Sequence, residues 1–210
     1  MNNNEIALYV NSQIKNIFIY EVDVSPYIEI SINRTLTCFS NNRNKYYKDK
    51  NFTVFHSGQY SIFLYYLSNT IFLTSKDNLL ATKVYYLNKV LHSVDWFYEI
   101  ELPEYWGVEH PLGSILGRAR YGDGFFIFQG CSVGGNNNKY PKIGSNVIMY
   151  SNSKVLGDCI IGDNVLIGAD TTIKDQNIPT NCIVFGNSPN LTIKEKTEKY
   201  MLDRIADFWE

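Results

Sequence analysis

The feature that most constrains the fold of this chain is a six-residue repeat in its second half. Apolar residues recur at every sixth position in two runs, Ile115, Tyr121, Ile127 and Val133, then Ile143, Met149, Val155, Ile161, Ile167 and Ile173. A step of six is neither the helical period nor the two-residue alternation of a strand. It is typical of a solenoid in which three hexads, about 18 residues, complete one coil.

Small or compact residues follow most of the later apolar positions after four residues. They are Val147, Ser153, Cys159, Val165 and Thr171. We expect the apolar residues to stack inward, coil on coil, and the small residues to occupy the corners. Other turn residues adopt the left-handed backbone conformation at low cost, namely Gly144, Asn146, Gly162 and Asn164. A β-sandwich with chance spacing is the alternative, and two long in-phase runs argue against it.

Glycine divides the chain into two parts, since residues 1–94 contain only Gly58 and residues 107–186 contain the other thirteen. In the first part, apolar spacing predicts helices over 61–72 and 78–92, the second capped by Asp77 or Ser75. The polar segment 41–51 predicts a loop, and residues 6–32 mix periods and support no assignment. Residues 194–210 predict an amphipathic helix, whose apolar face consists of Tyr200, Met201, Ile205 and Phe208.

Composition excludes several functional classes. With 45% apolar and 19% charged residues and a net charge of −2, the chain is expected to fold and to lack the basic surplus of a nucleic-acid binder. Its longest apolar run, 62–67, is far shorter than a membrane span, and its first residues do not resemble a signal peptide. Four scattered cysteines indicate neither a metal cluster nor a disulfide framework. We therefore expect a cytoplasmic protein without a metal.

Several motifs, in order, resemble those of the hexapeptide-repeat acyltransferases, and most of all serine O-acetyltransferase. They are Val94-Asp95, Glu109-His110-Pro111-Leu112-Gly113, Gln129 to Gly135, Tyr140-Pro141-Lys142-Ile143 and Gly186-Asn187-Ser188-Pro189. The resemblance implies a left-handed parallel β-helix. The expected fold is thus α+β, with a helical N-terminal domain (1–94), a β-helix acyltransferase domain (95–190) and a C-terminal helical tail (191–210).

The resemblance also implies catalytic roles for two residues. His110 would accept the proton of an acceptor hydroxyl, which attacks the thioester of acetyl-CoA directly. Asp95, fifteen residues earlier, would orient the imidazole and stabilise its charged form. Gly134 and Gly135 would supply N–H donors to the thioester oxygen.

For coenzyme A, the resemblance implies a groove between subunits of a trimer or a dimer of trimers. Small residues Ser151, Ala169 and Gly186 would line it, and Lys194 or Lys196 would meet the 3′-phosphate. A purely structural role, in packing, capping or turning the chain, is the alternative for these residues.

The acceptor site departs from the pattern that binds serine. Glu109 replaces the family's aspartate, Lys139 its arginine and Tyr140 its histidine, and the helical domain offers no clear counterpart of the aspartate that meets the serine amine. We therefore expect a hydroxyl on a sugar of a surface polysaccharide or its precursor as the acceptor. Genuine serine acetylation and a non-catalytic trimeric scaffold are the alternatives. The residues near the end, Trp209-Glu210, lack the isoleucine that binds cysteine synthase, so we expect no such complex.

Overall fold

The computed structural model describes residues 1–40, 44, 47 and 52–209 and consists of a helical region, a parallel β-solenoid and a final helix. The helices are α1 (Asn3–Phe18), α2 (Ser25–Ser40), α3 (Ser57–Ser75), α4 (Asn78–His92) and α5 (Glu198–Trp209). The strands are β1 (Asp95–Trp96), β2 (Trp106–Val108), β3 (Ile115–Leu116), β4 (Arg120–Tyr121), β5 (Phe125–Ile127), β6 (Ser132–Gly134), β7 (Lys142–Ile143), β8 (Ile148–Met149), β9 (Lys154–Leu156), β10 (Ile160–Ile161), β11 (Leu166–Ile167), β12 (Thr172–Lys174), β13 (Cys182–Asn187) and β14 (Asn190–Glu195).

The two helices predicted in the first part are confirmed as α3 and α4, and residues 6–32 prove to form most of α1 and the first half of α2. Asp77 caps α4, because its side chain accepts a hydrogen bond from the backbone N–H of Leu80 at 2.9 Å. Helix α3 is buried on all sides over most of its length, which blurs any apolar stripe in its sequence. The loop predicted over 41–51 lies outside the described residues, except for Asn44 and Tyr47.

Three parallel faces make up the solenoid. One face contains β1, β3, β6, β9 and β12, a second contains β2, β5, β8 and β11, and the third contains β4, β7 and β10. Strand β13 pairs with both β11 and β12 and joins the first two faces at the last coil. The pairing of Ile143 with Ile161, 18 residues later, confirms the coil length expected from the repeat.

The prediction is wrong for one position of the repeat. Ile115 is 48% exposed, whereas its neighbour Leu116 is buried and pairs with Val133. The reason is that this coil takes 17 residues from Leu116 to Val133, one fewer than three hexads. The inward side chain is therefore displaced by one residue.

The five small residues that were predicted to occupy the corners are all buried. Asn146 and Asn164 adopt the left-handed conformation with φ of +55°, as expected. Gly144 and Gly162 do not, and they are required for another reason. A Cβ on Gly162 would lie 2.5 Å from the backbone nitrogen of Thr180 in the next coil, so glycine is needed for close stacking of the coils.

The end of the chain differs from the prediction. Residues 190–195 form β14, which pairs antiparallel with β13, and the helix begins only at Glu198. Met201 and Ile205 are buried as expected, Tyr200 is half exposed, and the side chain of Phe208 lies outside the described residues. The chain reverses at residues 188 and 189, since Asn187 pairs directly with Asn190, and this turn takes the place of another corner.

The helical region packs directly on the first coil. The Tyr65 hydroxyl donates to the carbonyl of Ile100 at 2.7 Å, and the Trp106 ring stands edge-on to the Tyr65 ring at 5.7 Å. Both rings are buried. None of the helices in the described ranges is long and apolar enough to cross a bilayer.

Buried His92 makes stability depend on pH. Burial lowers the pKa of His92 to about 4, against about 6.5 in an unfolded chain. Between these two pKa values, His92 binds a proton in the unfolded state but not in the folded state. The contribution of His92 to the free energy of unfolding is therefore complete above about pH 6.5 and is lost as the pH falls towards 4. We expect the free energy of unfolding to drop by about 2 kcal/mol between pH 7 and pH 5.

Urea unfolding of the wild type and of His92→Gln at both pH values measures this contribution. Glutamine keeps a polar group opposite Asn88 Oδ1, which lies 2.8 Å from His92 Nδ1. The pH-dependent loss should be smaller in the variant by about 2 kcal/mol. An equal loss in both proteins would show that His92 is not the titrating group.

Candidate active site

His110 stands in a bulge at the corner after β2. Val108 pairs with Ile127, and the carbonyl of Leu112 accepts a hydrogen bond from the N–H of Gly130 at 2.8 Å. Residues 108–112 and residues 127–129 therefore form the same corner in successive coils. The first of these corners contains two additional residues. His110 has φ of +50°, and its side chain is 74% exposed, so the bulge presents the imidazole outward.

The carboxylate of Glu109 lies beside this imidazole. Its Oε1 lies 3.7 Å from His110 Nε2, which is within ion-pair range and beyond a hydrogen bond. The Glu109 side chain is 29% exposed and thus partly shielded from water. An imidazole with an adjacent carboxylate can accept a proton and have the resulting charge stabilised.

Asp95 does not form the predicted hydrogen bond with His110 in the described part of the chain. Its two carboxylate oxygens instead accept hydrogen bonds from α4, one from the Tyr85 hydroxyl at 2.5 Å and the other from Lys89 Nζ at 2.7 Å. Partial burial raises the pKa of Asp95, but the hydrogen bonds from Lys89 and Tyr85 and the charge of Lys89 outweigh it, so the net shift is downward. In this arrangement the Asp95 carboxylate ties α4 to β1.

The residues predicted to line the coenzyme groove form one column below His110. The N–H of Asn152 donates to the carbonyl of Gln129, and the N–H of Asp170 donates to the carbonyl of Ser151, at 2.8 and 2.9 Å. With the Gly130 bond to Leu112, these contacts stack Leu112, Gln129, Ser151 and Ala169 at one corner of successive coils. Gly186 extends the column. Ile167 of β11 pairs with Val184, and Ala169 and Gly186 each lie two residues after these paired residues. We call this set the corner column.

Beside the lower end of the corner column is a cleft of about 370 Å³. Its lining residues are Tyr150, Leu166, Gly168, Ala169, Ile183, Phe185, Tyr200 and Arg204. Arg204 belongs to α5 and was not anticipated from the sequence. Lys194, the predicted phosphate ligand, lies on β14 with its ammonium 5.5 Å from the centre of the Phe185 ring. Both cations are therefore associated with residues of this cleft.

Gly134, Gly135, Lys139 and Tyr140 lie at a different corner, the one after β6. Asn136 and Lys139 exchange backbone hydrogen bonds at 2.9 and 3.0 Å around a two-residue turn with positive φ. Lys139 pairs with Asp158 at 2.6 Å. A Cβ on Gly135 would lie 2.6 Å from the Tyr140 ring, so glycine lets the ring pack on the backbone. Within one chain, these residues share no corner with His110.

The helical region contributes residues to the His110 corner that were not predicted as functional. The buried Tyr47 donates its hydroxyl to the carbonyl of Val108 at 2.6 Å, next to Glu109. The Tyr47 ring stands edge-on to the His56 ring at 6.1 Å. The only sequence signal for this contact is Gly58, the lone glycine of residues 1–94.

Comparison with known proteins agrees with this architecture. The bacterial transferase hexapeptide (six repeats) profile matches residues 140–175. A serine acetyltransferase of Synechococcus elongatus is 34% identical over 84 residues, which are 38% of this chain and 34% of that protein. The match thus spans about a third of the length of this curated relative.

Solved structures extend the likeness to almost the whole chain. A serine acetyltransferase from Vibrio cholerae superimposes with a TM-score of 0.74 at 21% identity, covering 93% of this chain and 81% of that chain. A serine acetyltransferase in complex with CoA gives a TM-score of 0.69 at 17% identity, covering 91% and 84%. In sequence over 84 residues and in fold over almost its whole length, this chain is similar to the serine acetyltransferases.

Proposed function

We propose that this protein is an acetyl-CoA-dependent O-acetyltransferase with His110 as its general base. The observation that carries the proposal is the placement of an exposed imidazole at the head of the corner column. Between Leu112 and Gly186 the column takes four coil steps, roughly 19 Å at the usual strand spacing. An extended pantetheine arm lying along it would bring its thioester towards His110.

The chemistry needs no covalent enzyme intermediate. His110 accepts the proton from the acceptor hydroxyl while the hydroxyl oxygen bonds to the thioester carbonyl carbon. The carbon–sulfur bond then breaks, and the imidazolium returns its proton to the leaving thiolate, which yields an ester and free coenzyme A. Glu109, 3.7 Å away, stabilises the transient imidazolium. Asp95, at the start of the neighbouring strand β1, anchors α4 on the first coil.

The small side chains of the corner column suit close approach of the coenzyme. Ser151, Ala169 and Gly186 leave the flank of the solenoid unobstructed, and Arg204 and Lys194 offer cations to its phosphates. Gly134 and Gly135, at the corner after β6, would reach the thioester oxygen only from a neighbouring subunit. We therefore propose at least a trimer, and a monomer in sedimentation analysis would contradict this.

For the acceptor, we favour a sugar hydroxyl over free serine. Lys139 is already paired with Asp158, and Tyr140, 41% exposed, carries no charge for a serine carboxylate. The likeness of the solenoid sequence to serine acetyltransferases favours serine as the second candidate. Both acceptors would use the same base and the same co-substrate.

An acceptor panel distinguishes these functions. Thiol release from acetyl-CoA is followed with L-serine, D-glucose, N-acetyl-D-glucosamine and UDP-N-acetyl-D-glucosamine. We expect release above the acceptor-free rate with at least one sugar and little with serine. Release with serine alone would establish the second candidate. No release with any acceptor, together with no binding of acetyl-CoA in calorimetry, would leave a scaffold and refute the proposal.

A further inference from the structure

We infer that His56 is a further specificity-determining residue, which contacts the acceptor on the helical side of the His110 corner. This inference rests on the proposed function and adds a residue to it. His56 caps α3, with its Nδ1 accepting a hydrogen bond from the backbone N–H of Gln59 at 3.2 Å. Capping alone would account for a histidine here, so the argument depends on what else the imidazole meets.

The surroundings of His56 link it to the predicted base. Tyr47 contacts both the corner after β2 and His56. Its hydroxyl donates a hydrogen bond to the Val108 carbonyl, and its ring contacts the His56 ring. A Cβ on Gly58 would lie 2.7 Å from Tyr47 Oη and 3.2 Å from His56 Cε1. Only glycine in the first turn of α3 leaves room for the hydroxyl and the imidazole side by side. The lone glycine of the helical region thus serves to bring His56 up to the β2 corner.

The charges of Glu109 and His110 both act on the imidazole of His56. Partial burial lowers the pKa of His56, and the charge of His110 lowers it further, whereas the Glu109 carboxylate opposes both. The net shift is downward, which favours the neutral imidazole. Its Nδ1 acts as an acceptor in the cap, so the ring hydrogen is on Nε2.

The position of His56 assigns it to the acceptor rather than to the coenzyme. The corner column runs from His110 towards the later coils, away from α3. The acceptor hydroxyl must reach the base from a side that the coenzyme does not fill, and the helical region borders that side. A neutral imidazole there suits an uncharged hydroxylated acceptor, such as a sugar, better than the ammonium group of an amino acid.

Two substitutions separate this role from capping. Asparagine is a good N-cap, so His56→Asn keeps the acceptor for the Gln59 N–H and removes the imidazole, whereas His56→Ala removes both. We expect His56→Asn to retain the thermal midpoint of the wild type. Its KM for the most active sugar of the panel should rise about tenfold, as for one lost hydrogen bond, with the KM for acetyl-CoA unchanged. Asp77→Ala, which removes the cap of α4, is the matched control and should leave both KM values unchanged.

A second measurement tests proximity without turnover. The chain has three histidines, so the imidazole resonances of His56, His92 and His110 can be followed separately by NMR. We expect the pKa of His56 to rise in His110→Ala and to fall in Glu109→Gln, with His92 unchanged in both.

The outcomes are distinct. A wild-type KM for the sugar in His56→Asn would overturn the inference and leave His56 as a cap. An unchanged pKa of His56 in both His110→Ala and Glu109→Gln would also overturn it. Absence of turnover in the wild type would overturn the proposed function and this inference together. Turnover that depends on His110 but not on His56 would overturn only the inference.

Discussion

Replacement of His110 by alanine is expected to lower kcat for acetyl transfer by about 10²- to 10⁴-fold, the usual contribution of a general base. The KM for acetyl-CoA should change little, because the corner column that would hold the coenzyme begins two residues later. Stability should also change little, since the side chain is 74% exposed. Steady-state thiol release and a thermal melt on the same samples measure both quantities.

The control for this experiment is His110→Asn. Asparagine tolerates the positive φ of this position better than most residues, so it preserves the bulge while removing the base. Both variants should lose turnover to a similar extent. Activity equal to that of the wild type in either variant would exclude His110 as the base, whatever the acceptor.

Gly122→Ala is expected to lower the free energy of unfolding by about 3 kcal/mol. A Cβ at this position would lie 2.5 Å from both the carbonyl carbon and the oxygen of Gly144, and 2.6 Å from the nitrogen of Ser145. All three atoms are backbone of the adjacent coil and cannot move without separating the coils. Urea denaturation followed by circular dichroism gives the free energy of unfolding.

The matched control is Gly134→Ala, in the same solenoid. There the added Cβ would meet only Leu156 Cδ2, at 3.7 Å, which is an ordinary contact, and φ is not positive. We expect a change within about 1 kcal/mol. Equal destabilisation by the two substitutions would show that coil spacing is not what requires glycine at position 122.

Much of the fold could be predicted because the repeat acts locally. Each coil needs an inward apolar residue and a small corner residue, and both are visible in the sequence at fixed spacing. The exceptions arise where a coil departs from 18 residues, as at Leu116, or where the chain stops turning, as at Gly186 and β14. No local pattern reveals these departures, because strand pairing between coils determines them.

The site was harder to predict, for a related reason. His110 and the corner column could be located because they occur at marked points of the repeat. The partner of Asp95 could not, since Tyr85 and Lys89 reach it from another element. His56 is separated from His110 by more than fifty residues, and Tyr47 connects its ring to the corner after β2. Contacts of this kind leave almost no trace in a single sequence.

The antiparallel hairpin of β13 and β14 has a consequence for how copies of this chain can meet. A parallel solenoid exposes unpaired strand edges at its ends, and such edges recruit further strands and promote fibre growth. Here β14 runs antiparallel to the coils, so the edge that it presents does not continue their parallel register, while α3 and α4 contact β2 and β1 at the other end. Head-to-tail polymers are thereby disfavoured, and the flanks remain as the surfaces through which a closed, finite assembly can form.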